Sequence, residues 1–210
     1  QAGAHDVIGD RAYGETAEEV ALLGRAAAEG LIAGGVLPII KHIPGHGRSM
    51  ADSHLGLPVV DAALEDLDAV DFAPFRVLSD MPMAMTAHVV YSAIDPKRPA
   101  TTSRKAIKHV IRDSIGFHGL LMSDDLSMKA LSGDFKARTK DSLAAGCDVV
   151  LHCNGDMAEM APIAEACGKL SGKARRRAEG ALARLAKRPE PIDLAEARAR
   201  HMQDRRNTDA

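Results

Sequence analysis

Three short stretches of the chain hold side chains that could do chemistry. Lys41-His42-Ile43-Pro44-Gly45-His46-Gly47 sets a lysine and two histidines around a proline and two glycines. Such a stretch makes a tight loop whose donors face a polar ligand, or an exposed polar loop with no further task. Asp52-Ser53-His54 places a carboxylate two residues from an imidazole. On an extended segment the two point the same way. Asp52 could then accept the Nδ1 proton of His54, leaving Nε2 as a general acid or base near neutral pH. Asp-x-His also arises by chance. Ser123-Asp124-Asp125-Leu126 follows a short apolar run. A carboxylate there can be a nucleophile, a general base or a metal ligand, or it can cap the next helix. Two adjacent aspartates allow both, with Asp124 facing a site and Asp125 starting a helix.

A metal centre would have His42, His46, Asp52, His54 and His88 to draw on. None of them stands at a recognisable ligand spacing, so no metal and no other cofactor is expected. The chain lacks G-x-G-x-x-G and G-x-x-x-x-G-K-[ST], which argues against a nucleotide fold.

These residues need elements to hold them, and the apolar pattern supplies candidates. Thr16 and Glu19 form a capping box. Val20, Leu23, Ala27 and Leu31 recur at helical spacing up to Gly34-Gly35. Short apolar runs at 36–40, 83–87, 119–122 and 148–152 read as buried strands. A long loop, 41–58, follows the first. Asp61 can cap a helix carrying Leu64, Leu67 and Val70. Ser103 can cap one carrying Ile107, Val110, Ile111 and Ile115. Helices are also predicted over 134–145 and 157–170. Strands alternating with helices imply parallel βαβ units with both sheet faces covered. The candidate groups Lys41-His42, His88, Asp124-Asp125 and Asn154 all fall just after strands, where such folds carry their sites. The lysine- and arginine-rich stretch 173–206 reads as a solvated helix face and a fraying end.

The composition fits this picture. The chain has 210 residues, 46% of them hydrophobic, enough for one sizeable core. Lys and Arg number 27 against 29 Asp and Glu. That balance gives no reason to expect nucleic acid or a membrane as partner. No apolar run is long enough to span a bilayer. The opening residues do not read as a signal peptide. Cys147, Cys153 and Cys167 are odd in number and read as reduced thiols, as in a cytoplasmic protein.

Taken together the segments VIGDRAYG (7–14), KHIPGHG (41–47), DSH (52–54), MTAH (85–88), GFHGLLMSDDLSM (116–128) and AGCDVVLHCN (145–154) resemble the bacterial β-N-acetylglucosaminidases of glycoside hydrolase family 3. The resemblance covers about residues 5–170. It implies an α/β fold, a TIM-type (β/α) barrel of which this chain holds the C-terminal half, about four parallel strands. The N-terminal half would then be a partner lying outside this sequence, together with two further ligand-binding residues. Residues 1–170 would be barrel and 171–210 a charged C-terminal helix and tail. The resemblance further implies that Asp124 is the nucleophile, His54 the general acid/base and Asp52 its orienting partner. Arg11, Lys41 and His42 would hold the sugar. The implied substrate is N-acetylglucosamine linked β-1,4 to 1,6-anhydro-N-acetylmuramic acid in cytoplasmic peptidoglycan recycling. A phosphorylase of the same family, or a carbohydrate-binding fragment without catalysis, are the alternatives.

Overall fold

The computed structural model describes residues 11–49, 56–185 and 192–208, and side chains as far as residue 203. Asp52 and His54 lie outside the described residues.

Four parallel strands carry the fold. They are β1 (Ile39–Ile43), β3 (Met83–Thr86), β5 (Leu120–Asp125) and β6 (Val149–Leu151), side by side in the order β1-β3-β5-β6. That is half the eight strands of a closed TIM barrel. The connections are helical. Helices α2 (Leu64–Asp66) and α3 (Ala73–Val77) lie between β1 and β3, a π-helix (Ala106–Ser114) between β3 and β5, and α4 (Phe135–Ala145) between β5 and β6. Helix α1 (Ala17–Ala33) precedes β1, and α5 (Met157–Cys167), α6 (Gly172–Ala183) and α7 (Leu194–Thr208) follow β6. A two-residue pair, β2 (Val59–Val60) with β4 (Val90–Tyr91), ties the loop after β1 to the loop after β3.

The main core fills between sheet and helices. Ile40, Ile43, Leu67, Phe72, Ala84, Ile107, Ile111, Phe117 and Leu121 form its centre. A smaller cluster of Leu126, Leu131 and Ile163 lies under α4 and α5 with Phe135 and Val150. At about 25 cal/mol per Å² of apolar surface removed from water, this burial is the main favourable contribution to folding.

Several elements start where their caps say they should. Thr16 and Glu19 form the capping box of α1. Asp134 caps α4 by accepting from Ala137 N–H. Ser103 Oγ accepts from Ala106 N–H at 3.2 Å. The helix after it winds as a π-helix, with Ile115 N–H reaching back to Val110 O.

Four expectations are corrected. The first strand runs 39–43, not 36–40, because Pro38 has no N–H for the ladder and Val36 N–H is spent on Leu31 O. Lys41 and His42 therefore sit inside β1, not in the loop after it. Asp61 is no cap: the helix starts at Leu64 with Ala63 at its N-cap and no side-chain bond there. Asp125 starts no helix either; it is the last residue of β5, and α4 begins ten residues later. Finally, α1 buries Ala21 and Ala28, while Leu23 and Leu31 are exposed. Small side chains on the inner face let the helix approach closely, with Leu78 Cδ1 only 3.3 Å from where a Cβ on Gly24 would lie. The stretch at 173–206 also does more than meet solvent. Arg177 of α6 reaches Asp148 at 2.8 Å, which fastens the helix to the sheet.

Candidate active site

At the carboxyl ends of β1, β3 and β5 the described candidate groups His42, His46, His88, Asp124 and Asp125 come together. β1 pairs with β3 through Ile39, Ile40 and Lys41, then slips: Lys41 faces Met85 and Ile43 faces Thr86, so His42 is an extra residue in the strand. Such a bulge bends the strand and re-aims a side chain. The Lys41–His42 and Ile43–Pro44 peptide bonds are both cis. His42 ends with Nε2 3.6 Å from Asp124 Oδ2, both side chains largely enclosed at 18% and 14% exposure. The His46 ring lies 5.5 Å away from that of His42, centre to centre. Lys41 is exposed.

The loop beyond β1 is pinned from below. Gly45 has φ +146°, and a Cβ there would come within 3.0 Å of Asp71 Cβ. Only glycine suits that conformation. Tyr91 donates its hydroxyl to Gly45 O. Asp71, buried, accepts from Arg48 Nε at 2.6 Å. Burial pushes the Asp71 carboxyl up, and Arg48 draws it back.

Asp124 has one oxygen bound and one turned to the site. Its Oδ1 accepts from Asp125 N–H at 2.8 Å. Its Oδ2 faces His42 at a separation too long for a hydrogen bond. Burial drives the His42 pKa down to about 4, although Asp124 pulls the other way. The two are therefore a carboxylate beside a neutral imidazole at neutral pH, not an ion pair.

Asp125 does a different job from its neighbour. Its Oδ1 accepts from Ser127 N–H at 3.0 Å and Cys153 N–H at 3.1 Å, and its Oδ2 from the Ser127 hydroxyl. Burial alone would raise its pKa; these bonds from Ser127 and Cys153 outweigh that and hold it below the usual range. It ties the end of β5 to the segment leaving β6. Ser123 adds to the tie by accepting from Leu151 N–H at 3.0 Å. Beyond it, Asn154 donates to Glu159 at 3.0 Å and His152 Nε2 lies 2.6 Å from the same oxygen. Arg11 is exposed on the lead-in to α1.

Residue types alone did not reveal the bonds behind the site. His88 is fully buried, with Nδ1 2.7 Å from Thr101 Oγ1 and Nε2 2.9 Å from Asp125 O. Thr86 Oγ1 lies 2.8 Å from Thr101 Oγ1. The one sequence signal was a histidine placed directly after an apolar strand. Among the described residues no group of three or more His, Cys, Asp or Glu side chains is arranged to hold a metal ion. No helix among them is long and apolar enough to cross a membrane.

The chain as a whole is similar to known proteins. Residues 2–187 match the glycosyl hydrolase family 3 N-terminal domain. The beta-hexosaminidase of Neisseria gonorrhoeae is 46% identical over 152 residues, 70% of this chain and 42% of that protein. The chain thus spans less than half the length of this curated relative. Among solved structures, a glycoside hydrolase family 3 beta-N-acetylglucosaminidase from Paenibacillus sp. superposes with a TM-score of 0.77 at 34% identity, covering 90% of this chain and 39% of that one. NagZ from Neisseria gonorrhoeae in complex with N-trifluoroacetyl-D-glucosamine gives 0.67 at 36% identity, covering 89% and 59%. The fold is α/β of the TIM type, here as an open parallel sheet.

Proposed function

The chain belongs to glycosyl hydrolase family 3, and from that premise we propose that it supplies the nucleophile and most of the sugar-holding groups of a retaining β-N-acetylglucosaminidase. The observation that carries this is Asp124, at the end of β5, with Oδ1 fixed by a backbone N–H and Oδ2 left facing a neutral His42. A carboxylate held this way has one oxygen oriented by the backbone and the other turned toward the site for attack. The relative named beta-hexosaminidase and the solved NagZ complex with an N-acylated glucosamine support the sugar class.

The steps follow from retention, which needs a nucleophile on one face of the sugar and a proton donor at the leaving oxygen. Asp124 attacks the anomeric carbon. The glycosidic C–O bond breaks, and imidazolium His54 gives its proton to the departing oxygen. The resulting glycosyl ester is opened by water, from which neutral His54 takes a proton, and Asp124 leaves as carboxylate. Asp52 holds the His54 ring in one tautomer. An imidazole suits this work because its ordinary pKa is about 6.5. Lys41, Arg11 and His42 bind the hydroxyl and acetamido groups. The substrate is a terminal N-acetylglucosamine on a peptidoglycan-derived fragment, handled in the cytoplasm. In this reading residues 1–170 are the second half of the barrel, and its first half closes on the open edges of β1 and β6. Residues 171–210 are the charged C-terminal segment that carries α6 and α7.

The test uses the intact protein with an aryl and a disaccharide N-acetyl-β-glucosaminide. His54→Ala should slow the disaccharide about 10²–10⁴-fold. The aryl substrate should suffer far less, because an aryl oxide departs without full proton transfer. An equal loss on both would remove His54 as leaving-group acid. A fluorinated, activated N-acetylglucosaminide should leave its sugar on the peptide that holds Asp124. Labelling at another residue would sink the nucleophile assignment.

A further inference from the structure

Behind the nucleophile lies a buried chain of hydroxyls and an imidazole whose proton positions can be worked out. Asp125 O is a carbonyl and only accepts, so His88 Nε2 must carry hydrogen. Two arrangements then remain for Nδ1. In the first the ring is neutral, and Nδ1 accepts from the Thr101 hydroxyl at 2.7 Å. Thr101 in turn accepts from Thr86 at 2.8 Å. In the second the ring is an imidazolium, Nδ1 donates to Thr101 Oγ1, and the Thr101 hydroxyl turns to Ala87 O at 3.1 Å. Both satisfy every partner. Burial decides between them, because an imidazolium with no exposed surface is costly to desolvate. The charged groups that face the ring are Asp124 and Asp125, which favour the charged form, and Arg138 and His42, which oppose it. Burial outweighs them, and His88 titrates below the usual range of histidine.

The neutral ring controls a particular piece of backbone. Asp125 is clamped at both ends of its own peptide units: its N–H goes to Asp124 Oδ1 at 2.8 Å, and its carbonyl takes His88 and Met128 N–H. We propose that His88 is a positioning residue for the nucleophile, held as the neutral Nε2–H tautomer so that its bond to Asp125 O keeps the Asp125 N–H aimed at Asp124 Oδ1 and Oδ2 free. The proposal rests on Asp124 being the nucleophile. Without the clamp the Asp124 carboxylate can rotate, and a misplacement of about 1 Å can cost on the order of 10²-fold in rate.

Two measurements on the intact protein test this separately from the nucleophile assignment. Nitrogen NMR of histidine-labelled protein reads the tautomer whether or not the enzyme turns over a glycoside. His88 should show a protonated Nε2 and an unprotonated Nδ1 at neutral pH, and should take up a second proton only at lower pH than a free histidine. Kinetics on an aryl N-acetyl-β-glucosaminide read the clamp. His88→Phe keeps the bulk and removes the donor, and should lower kcat about 10–100-fold with KM within about twofold. His88→Gln keeps a donor at the Nε2 position and should recover most of that loss, at rates normalised to folded protein. A ring protonated at Nδ1 at neutral pH would overturn the proposal. So would a wild-type kcat in His88→Phe, or a His88→Gln protein no faster than His88→Phe.

Discussion

The two ends of the sheet treat their carboxylates in opposite ways. At the amino end, Asp148 is saturated. Its Oδ2 accepts from Arg112 and from Leu121 N–H, both at 2.9 Å, and its Oδ1 from Arg177 at 2.8 Å. Arg112 also donates to Phe117 O and Gly119 O. Two arginines and a strand are locked around one buried charge, and nothing is left over for a ligand. At the carboxyl end, Asp124 has one backbone N–H on one oxygen and a neutral ring facing the other. In barrels of this kind the amino end serves stability and the carboxyl end chemistry. The pairing shows the physical content of that division: full satisfaction makes a staple, partial satisfaction leaves reactivity.

Breaking each carboxylate in turn gives the largest contrast. Asp124→Asn in the intact protein should lower turnover by on the order of 10⁴-fold or more, since an amide cannot form the glycosyl ester. Its unfolding free energy should move by no more than about 1 kcal/mol. Asp148→Ala should do the reverse. It leaves Arg112 buried with its charge uncompensated, which costs about 3–5 kcal/mol. Activity per folded molecule should stay near wild type. Urea unfolding and active-site titration of the same samples separate the two. A stable Asp148→Ala protein would mean the network is not a staple.

How much of this was written in the sequence differs between the ends. The strands were legible because sheets covered on both faces read as apolar runs, such as Met83–Thr86. Asp124 and His42 were legible as polar residues next to apolar runs, although both prove to lie within the last residues of their strands. The bulge at His42 was not, because it arises from the slip between β1 and β3 and leaves no periodic mark. Asp61 looked like a cap and is not one, because the turn after β2 delays the helix to Leu64. The π-helical winding after Ser103 has the same apolar residues an α-helix would have. Thr86, Thr101 and His88 are joined only by the fold, fifteen or fewer residues apart in sequence yet with no spacing that announces contact. Asp148 read as the start of a strand; its two arginines come from separate helices.

The neutral ring beside Asp124 predicts a pH dependence of its own. Burial holds His42 at about 4 in the folded protein, against about 6.5 for an unfolded histidine. As pH falls, the unfolded chain takes up the proton first. The stability contributed by keeping His42 neutral is therefore full above about 6.5 and is lost progressively down to about 4, up to about 3 kcal/mol in all. His42→Asn should flatten the unfolding free energy against pH through that window. The His88 shift has the same sign and would remain in the variant. An unchanged slope would mean His42 is charged in the folded state, and the pair with Asp124 would then be an ion pair after all.

The smallest effect sharpens what makes Asp148 a staple. Asp80 is also paired with arginine near the amino end, with Arg25 Nη2 at 2.7 Å, and Arg25 also donates to Val77 O. The hydrogen bond from Arg25 holds the Asp80 carboxyl below the usual range, with burial opposing. The geometry is as good as that of Arg112 with Asp148, but Asp80 is 58% exposed where Asp148 is 4%. Water and salt screen the exposed pair, and either partner left alone is simply rehydrated. Asp80→Asn should therefore cost no more than about 1 kcal/mol, and less at high salt. What it contributes should be present above pH 3.8 or so and fade as pH drops through the lowered pKa. Urea unfolding at low and high ionic strength measures it against Asp148→Ala. Equal losses in the two variants would show that the charge pairs themselves, and not their enclosure, set the difference in stability.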